Sequence, residues 1–179
     1  GSAVYVTDAD AGTITVIDAD SREIRATIEG DPGLGPLRFT LDGRWGMAVN
    51  SSTDTVFVID SSSDRLAHAI SVGKQPYEVN FTNALAYVRS LGTQDVGLIP
   101  MSELDGTETP PVTYIPVGQR PPGVAGDISI ADRIVPAGKQ AAAAYIVTQA
   151  EGTVSYSREG RGAPMGRFRY YGPETRPLT

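Results

Sequence analysis

Tyr5-Val6-Thr7-Asp8, followed after a turn by Thr15-Val16-Ile17-Asp18, decides the fold, because both pieces come back along the chain. The first returns as Ala48-Val49-Asn50-Ser51, as Tyr87-Val88-Arg89-Ser90 and, more loosely, as Tyr145-Ile146-Val147-Thr148, at intervals of 43, 39 and 58 residues. Val16-Ile17-Asp18 returns as Val58-Ile59-Asp60 and Leu98-Ile99-Pro100, at intervals of 42 and 40. A third marker, Val72-Gly73-Lys74-Gln75-Pro76, reappears 45 residues on as Val117-Gly118-Gln119-Arg120-Pro121. Three markers in one order and at nearly one period define a repeat of about forty residues.

Inside each unit the apolar residues alternate with period two. Ile24, Ala26 and Ile28 share one face while Glu23, Arg25 and Thr27 take the other; Thr55, Phe57 and Ile59 alternate with Val56, Val58 and Asp60. Between these strands lie turn clusters such as Asp8-Ala9-Asp10-Ala11-Gly12, Asp42-Gly43 and Ser61-Ser62-Ser63-Asp64, where Gly accepts positive φ and Asp or Ser bonds the local backbone. Four strands and three hairpin turns per unit, repeated, predict an all-β chain, a partial β-propeller of about three to three and a half four-stranded blades. Residues 4 to 30 supply three strands of a first blade, 36 to 73 a second, 76 to 118 a third, and 122 to 157 most of a fourth. Residues 1–157 are thus read as the blades and 158–179 as a basic, aromatic tail. That tail carries five arginines against two glutamates, with Phe168, Tyr170 and Tyr171 among them, and reads as a linker, a truncated further segment or a docking strip.

Composition narrows the function classes. The 179 residues are 40% hydrophobic, with 20 Gly and 13 Pro, which suits short strands joined by turns. A formal charge of -6 sets the average field against polyanions, so no nucleic-acid partner is expected. No apolar run reaches the length of a membrane-spanning helix. With no Cys in the chain there is no disulfide, thiolate nucleophile or Cys-bound metal. Gly1-Ser2 reads as a tag remnant, which leaves room for a secretory leader ahead of it.

Tyr5-Val6-Thr7-Asp8, Thr15-Val16-Ile17-Asp18, Ile28 and Pro36, then Val49-Asn50, Val58-Ile59-Asp60, Ile70-Ser71-Val72-Gly73 and Pro76, resemble the YVTN-type β-propeller repeat of bacterial and archaeal secreted or surface proteins. The likeness covers residues 4 to about 90 and fades in the fourth unit, where Arg133 to Ala143 reads as an insertion. It implies a periplasmic, secreted or cell-surface setting and a distant kinship with cytochrome d1 and amine-dehydrogenase propellers. No catalytic motif is matched, so the resemblance carries no catalytic residue.

The candidate sites follow from the blade plan. The first strand of each blade lines the central channel, and these strands are expected to begin after Pro36, Pro76 and Pro122. Arg38 and Glu78, each two residues beyond its proline, are expected to be equivalent and to face the channel. With Tyr77 and the loop cations Lys74 and Arg120 they form the candidate ligand site, or else an interblade ion pair with solvated loop charges. His68, the only histidine, shares a face with Leu66 and Ile70 and occupies the position of Ala26 and Thr113, which makes it a packing residue; the sharper alternative is a haem ligand. Asp8-Ala9-Asp10-Ala11-Gly12 lacks the spacing of a calcium loop and is read as turn chemistry. Gly30-Asp31-Pro32-Gly33-Leu34-Gly35 lacks the Lys-Ser/Thr ending of a phosphate loop and is read as a connector between blades. No metal site and no cofactor is assigned. Two function classes stay open: an extracytoplasmic binding or scaffold propeller without catalysis, taking a protein or small ligand at the channel or loop face, and part of a periplasmic redox propeller with haem or quinone. An open arc of blades is also expected to self-associate through its end blades unless a longer chain supplies the rest.

Overall fold

The computed structural model describes residues 2–93 and 95–116, and beyond them the backbone of four strands, Ile128–Ile130, Ala143–Thr148, Thr153–Arg158 and Gly166–Arg169. Blade 1 holds β1 (Ala3–Asp8), β2 (Thr13–Asp18) and β3 (Ile24–Glu29). Blade 2 holds β4 (Leu34–Phe39), β5 (Trp45–Asn50), β6 (Thr55–Asp60) and β7 (Arg65–Ser71). Blade 3 holds β8 (Pro76–Phe81), β9 (Leu85–Ser90), β10 (Asp95–Pro100) and β11 (Thr113–Pro116). The last four strands, β12 to β15 in chain order, make blade 4. Every sheet is antiparallel with its strands in sequence order, three of them four-stranded and the first three-stranded. Among the described residues the one helical element is a 3-10 turn, Met101–Glu103. The chain is therefore an all-β, partial β-propeller, in which the first strands of successive blades stand side by side, β4 by β8 and β8 by β12. β15 pairs with β14, so the fourth sheet runs past the boundary expected at residue 157. Of the insertion expected at Arg133 to Ala143, residues 133–142 lie outside the described residues and Ala143 begins β13.

Register makes the repeat equivalences definite. Tyr5 faces Val16, Met47 faces Val58 and Tyr87 faces Leu98, so Tyr5, Met47 and Tyr87 are one position. The sequence alignment put Ala48 there, one residue late. Its Val-Asn match was attractive, but a one-residue slip would have moved every β5 side chain to the wrong face.

Two cores separate three blades. The face of blade 1 formed by Ile14, Val16 and Ile28 closes on Leu34, Ala48, Phe57 and Ile59 of blade 2, with Tyr5 and Leu37 packed alongside. The opposite face of blade 2, with Trp45, Met47, Val49, Val56, Val58 and Ile70, meets Val79, Phe81, Ala86, Val88, Ile99 and Leu104. Alternation along each strand thus serves two neighbours, which is why β5 is buried throughout.

The connectors are tied down by the residue that ends each second strand. Asn50 is fully buried; its Nδ2 donates to the carbonyls of Asp31 at 2.8 Å and Pro32 at 3.1 Å, while its Oδ1 accepts from the amides of Ser52 and Thr53. Ser90, at the same position, donates to the carbonyl of Gly73 at 3.0 Å. Asp8 uses Oδ1 to accept from the amides of Asp10 and Ala11 at 3.0 and 2.9 Å, so its loop is held by turn chemistry. The turn closes on Gly12 at φ 71, where an added Cβ would lie 2.2 Å from the backbone carbon of Asp31.

Candidate functional site

β4 and β8 both start irregularly, each with one extra residue opposite its partner strand. Pro36 sits inside the irregular stretch of β4, whereas Pro76 is the first residue of β8 and pairs with Ser90. Both places tolerate a residue without an N–H. Aligning the chain on its prolines therefore misplaces the strands by two residues. Arg38 pairs with Met47 and Asn80 with Tyr87, so the equivalent of Arg38 is Asn80, not Glu78 as expected from the sequence. A two-residue offset leaves the facing unchanged. Arg38 and Glu78 consequently still meet, through the residue between them.

Arg38 Nη1 donates to Asn80 Oδ1 at 2.7 Å, and Asn80 Nδ2 donates to Glu78 Oε1 at 2.9 Å. One amide therefore holds a guanidinium on one blade and a carboxylate on the next. Arg38 is exposed, Glu78 half-buried and Asn80 buried, so the relay has a solvent side at the first strands. Behind it lies Arg89, fully buried, paired across the strands with Glu78 and with its guanidinium carbon 5.2 Å from the Tyr77 ring centroid. The structure thus brings Arg38, Glu78 and Tyr77 into one neighbourhood and adds Asn80 and Arg89. Lys74 is exposed on the β7–β8 connector, two residues before β8 begins. Arg120 lies outside the described residues.

Sequence reasoning passed over Asn80 and Arg89 for different reasons. Asn80 is a strand polar residue two places after Glu78, and the alternation that placed Glu78 would have placed it too. Arg89 stands where blades 1 and 2 have Thr7 and Val49, and a charge at that inward position was the available signal.

A second polar cluster locks blade 1 to blade 2. The Tyr5 hydroxyl donates to Asp64 Oδ1, and Arg25 reaches the same carboxylate through Nε at 2.6 Å and Nη2 at 3.0 Å. Burial first, and then the bond to Asp64, push the Tyr5 phenol up to about 12. Burial works against the Asp64 carboxylate, but its bonds from Arg25 and Tyr5 outweigh that and hold it below the usual carboxylate range. Beside the cluster a cleft of about 300 Å3 opens between the blades, lined by Tyr5, Arg25, Phe39, Asp42 and Ser61.

His68 packs as its register requires. It is buried beside Ile70, pairs with Val58 and donates from Nε2 to the carbonyl of Leu104 in blade 3 at 3.0 Å. Leu66 does not share its face, because a bulge between Val58 and Ile59 turns Leu66 outward.

No family model and no curated protein matches the chain. Solved structures do. The dihydro-haem d1 dehydrogenase NirN superposes with a TM-score of 0.73 at 15% identity over 94% of this chain and 35% of its own. Hydrazine synthase of Kuenenia stuttgartiensis gives 0.64 at 17%, over 87% and 42%, and Hsv2 of Kluyveromyces lactis 0.55 at 8%, over 90% and 43%. The chain spans less than half the length of each of these chains, and at such identities what it shares with them is the β-propeller fold.

Proposed function

We propose that this chain is a propeller binding module without catalysis of its own, whose ligand is recognised by Arg38 and Glu78 across the first strands of blades 2 and 3. The observation that carries this reading is the Arg38–Asn80–Glu78 relay. A buried amide fixes both charged groups, so neither must be ordered when a ligand arrives. A guanidinium beside a carboxylate suits a ligand that carries both an anionic and a cationic group, such as an amino acid or a peptide terminus. Titration calorimetry with free amino acids and short peptides tests it: binding should weaken at least tenfold in Arg38→Ala. Equal affinity in the variant, or heat from none of these ligands, would overturn the reading. The extracytoplasmic setting implied by the repeat resemblance belongs to the same proposal, and fractionation of the producing cell tests it.

A second reading, part of a redox propeller, is favoured by one observation: two of the similar structures are a dihydro-haem d1 dehydrogenase and a hydrazine synthase. His68 would not serve it as an iron ligand, since its ring is buried and bonded to the Leu104 carbonyl. A haem absorption band in the protein purified from its native source would establish this reading over the first.

A further inference from the structure

The turns that end the first strands of blades 2 and 3 are built alike and differ in length. Thr40 Oγ1 accepts from the Trp45 amide at 3.1 Å, and the Thr40 amide donates to the Trp45 carbonyl at 2.9 Å. Thr82 and Leu85 repeat the pattern at 3.3 and 2.9 Å. Four residues, 41–44, lie between the paired ends in blade 2, and two, 83–84, in blade 3. Beside the shorter turn a cleft of about 460 Å3 opens between the blades, walled by Asp42 and Trp45 on one side and by Asn83, Met101 and Ser102 on the other. That volume lies in the range of small-molecule sites, and both blades are complete four-stranded sheets.

Asp42 sets the chemistry of this cleft. Its Oδ1 accepts from Thr40 Oγ1 at 2.5 Å and from the Arg44 amide at 3.0 Å, and these bonds hold the carboxyl below the usual carboxylate range. The group is thus ionised and fixed in direction, with Oδ2 left to accept from a ligand. Arg44, two residues on, is engaged elsewhere: its guanidinium carbon lies 4.5 Å from the Trp45 ring centroid, and its nitrogens reach Asp60 at 3.4 Å and Asp105 at 3.0 Å. Asp42 makes no ion pair among the described residues.

Across the cleft Asn83 and Ser102 are exposed and make no side-chain hydrogen bond among the described residues. An amide oxygen and a hydroxyl oxygen therefore join the carboxylate. Three oxygen acceptors, one of them charged, match the three donors of a primary ammonium. Met101, half-buried, offers methylene groups an apolar wall. We propose that the cleft between blades 2 and 3 binds a primary alkylammonium group, with its charge at Asp42 and its aliphatic stem along Met101. This site shares no residue with the Arg38–Asn80–Glu78 relay and stands independently of it.

The probe that tests it is 1,5-diaminopentane. Added to the isotope-labelled chain, it should shift the amide NMR signals of Asp42, Asn83 and Ser102 saturably, whereas 1,5-pentanediol, of the same length without charge, should not. Asp42→Asn keeps an oxygen for the bonds from Thr40 and Arg44, removes the charge, and should weaken binding about fivefold or more. Asn83→Lys places an ammonium of the chain's own in the cleft and should weaken binding as much; Glu78→Gln should leave it unchanged. A peptide with blocked ends and one central lysine separates the two sources of such a group. Tighter binding than the diamine assigns the site to a protein's lysine side chain, weaker binding to a free amine, and both support the cleft. Unchanged affinity in Asp42→Asn or in Asn83→Lys, equal binding of the diol, or no saturable shift overturns the proposal. Loss in Glu78→Gln with none in Asp42→Asn overturns it as well, by placing the amine at the relay.

Discussion

The blade 1–blade 2 and blade 2–blade 3 interfaces use the same positions and opposite chemistry. Tyr5 and Met47 are equivalent, and Asp64 and Leu104 each lie four residues beyond the end of a third strand. In the first interface the tyrosine bonds the aspartate, and Arg25 completes the cluster. In the second, Met47 and Leu104, at 0% and 1% exposure, belong to one apolar core. The nearby charged partner is also exchanged, for His68 bonded to the Leu104 carbonyl. Blade spacing therefore follows from the backbone repeat, while the chemistry between blades varies freely within it.

Removing the apolar side of this pair should have the largest effect. Leu104→Ala should cost about 2 to 4 kcal/mol in urea unfolding, because it leaves a cavity in a close-packed core. A loss below about 1 kcal/mol would mean that blades 2 and 3 do not depend on this contact. Asn50→Ala should come next, at about 2 to 3 kcal/mol, since it removes a buried side chain that makes four hydrogen bonds to the connector backbone. Asp8→Ala at the equivalent exposed position should cost well under about 1 kcal/mol. Similar losses at the two positions would show that the connector bonds of Asn50 are not what matters there.

The polar interface should reveal itself through pH. A free tyrosine titrates near 10, and Tyr5 in the folded chain near 12, so folding favours the protonated phenol. Its contribution is complete below pH 10 and fades as pH rises to about 12. Wild-type stability should therefore fall across that window relative to Tyr5→Phe. Parallel curves would exclude the bond to Asp64 as the cause. Asp64 has the opposite sense: its lowered value stabilises the fold above the ordinary carboxylate range and is lost on acidification.

The smallest expected change tests the exchange itself. Tyr5→Met with Asp64→Leu gives the first interface the residues of the second, and should stay within about 1 kcal/mol of wild type. Asp64→Leu alone should be worse, because Tyr5 and Arg25 lose their acceptor. If the double variant is no better than the single one, the two interfaces are not interchangeable.

Much of this was legible in the sequence. The markers at Tyr5, Val16 and their later copies located the strands, and Val16, Val58 and Leu98 do occupy one register position. His68 was correctly placed at the position of Ala26 and Thr113, because Val16 faces Ala26, Val58 faces His68 and Leu98 faces Thr113. The candidate site was legible in its facing and not in its pairing. Arg38 and Glu78 share a side as alternation required, but the bulged strand starts hid the two-residue offset that makes Asn80 the link.

Sequence alone determined the strands, the turns, the four-stranded unit and its repetition, because each is written in residues a few places apart: period-two alternation, an Asp or Asn ending a strand, a Gly where φ is positive. Tertiary structure decided which residues meet between blades. Tyr5 finds Asp64 59 residues away and Arg38 finds Asn80 42 residues away, and alternation gives a residue its face without naming what stands across from it. That choice depends on bulges that shift one strand against another, and a bulge is settled by how whole sheets pack.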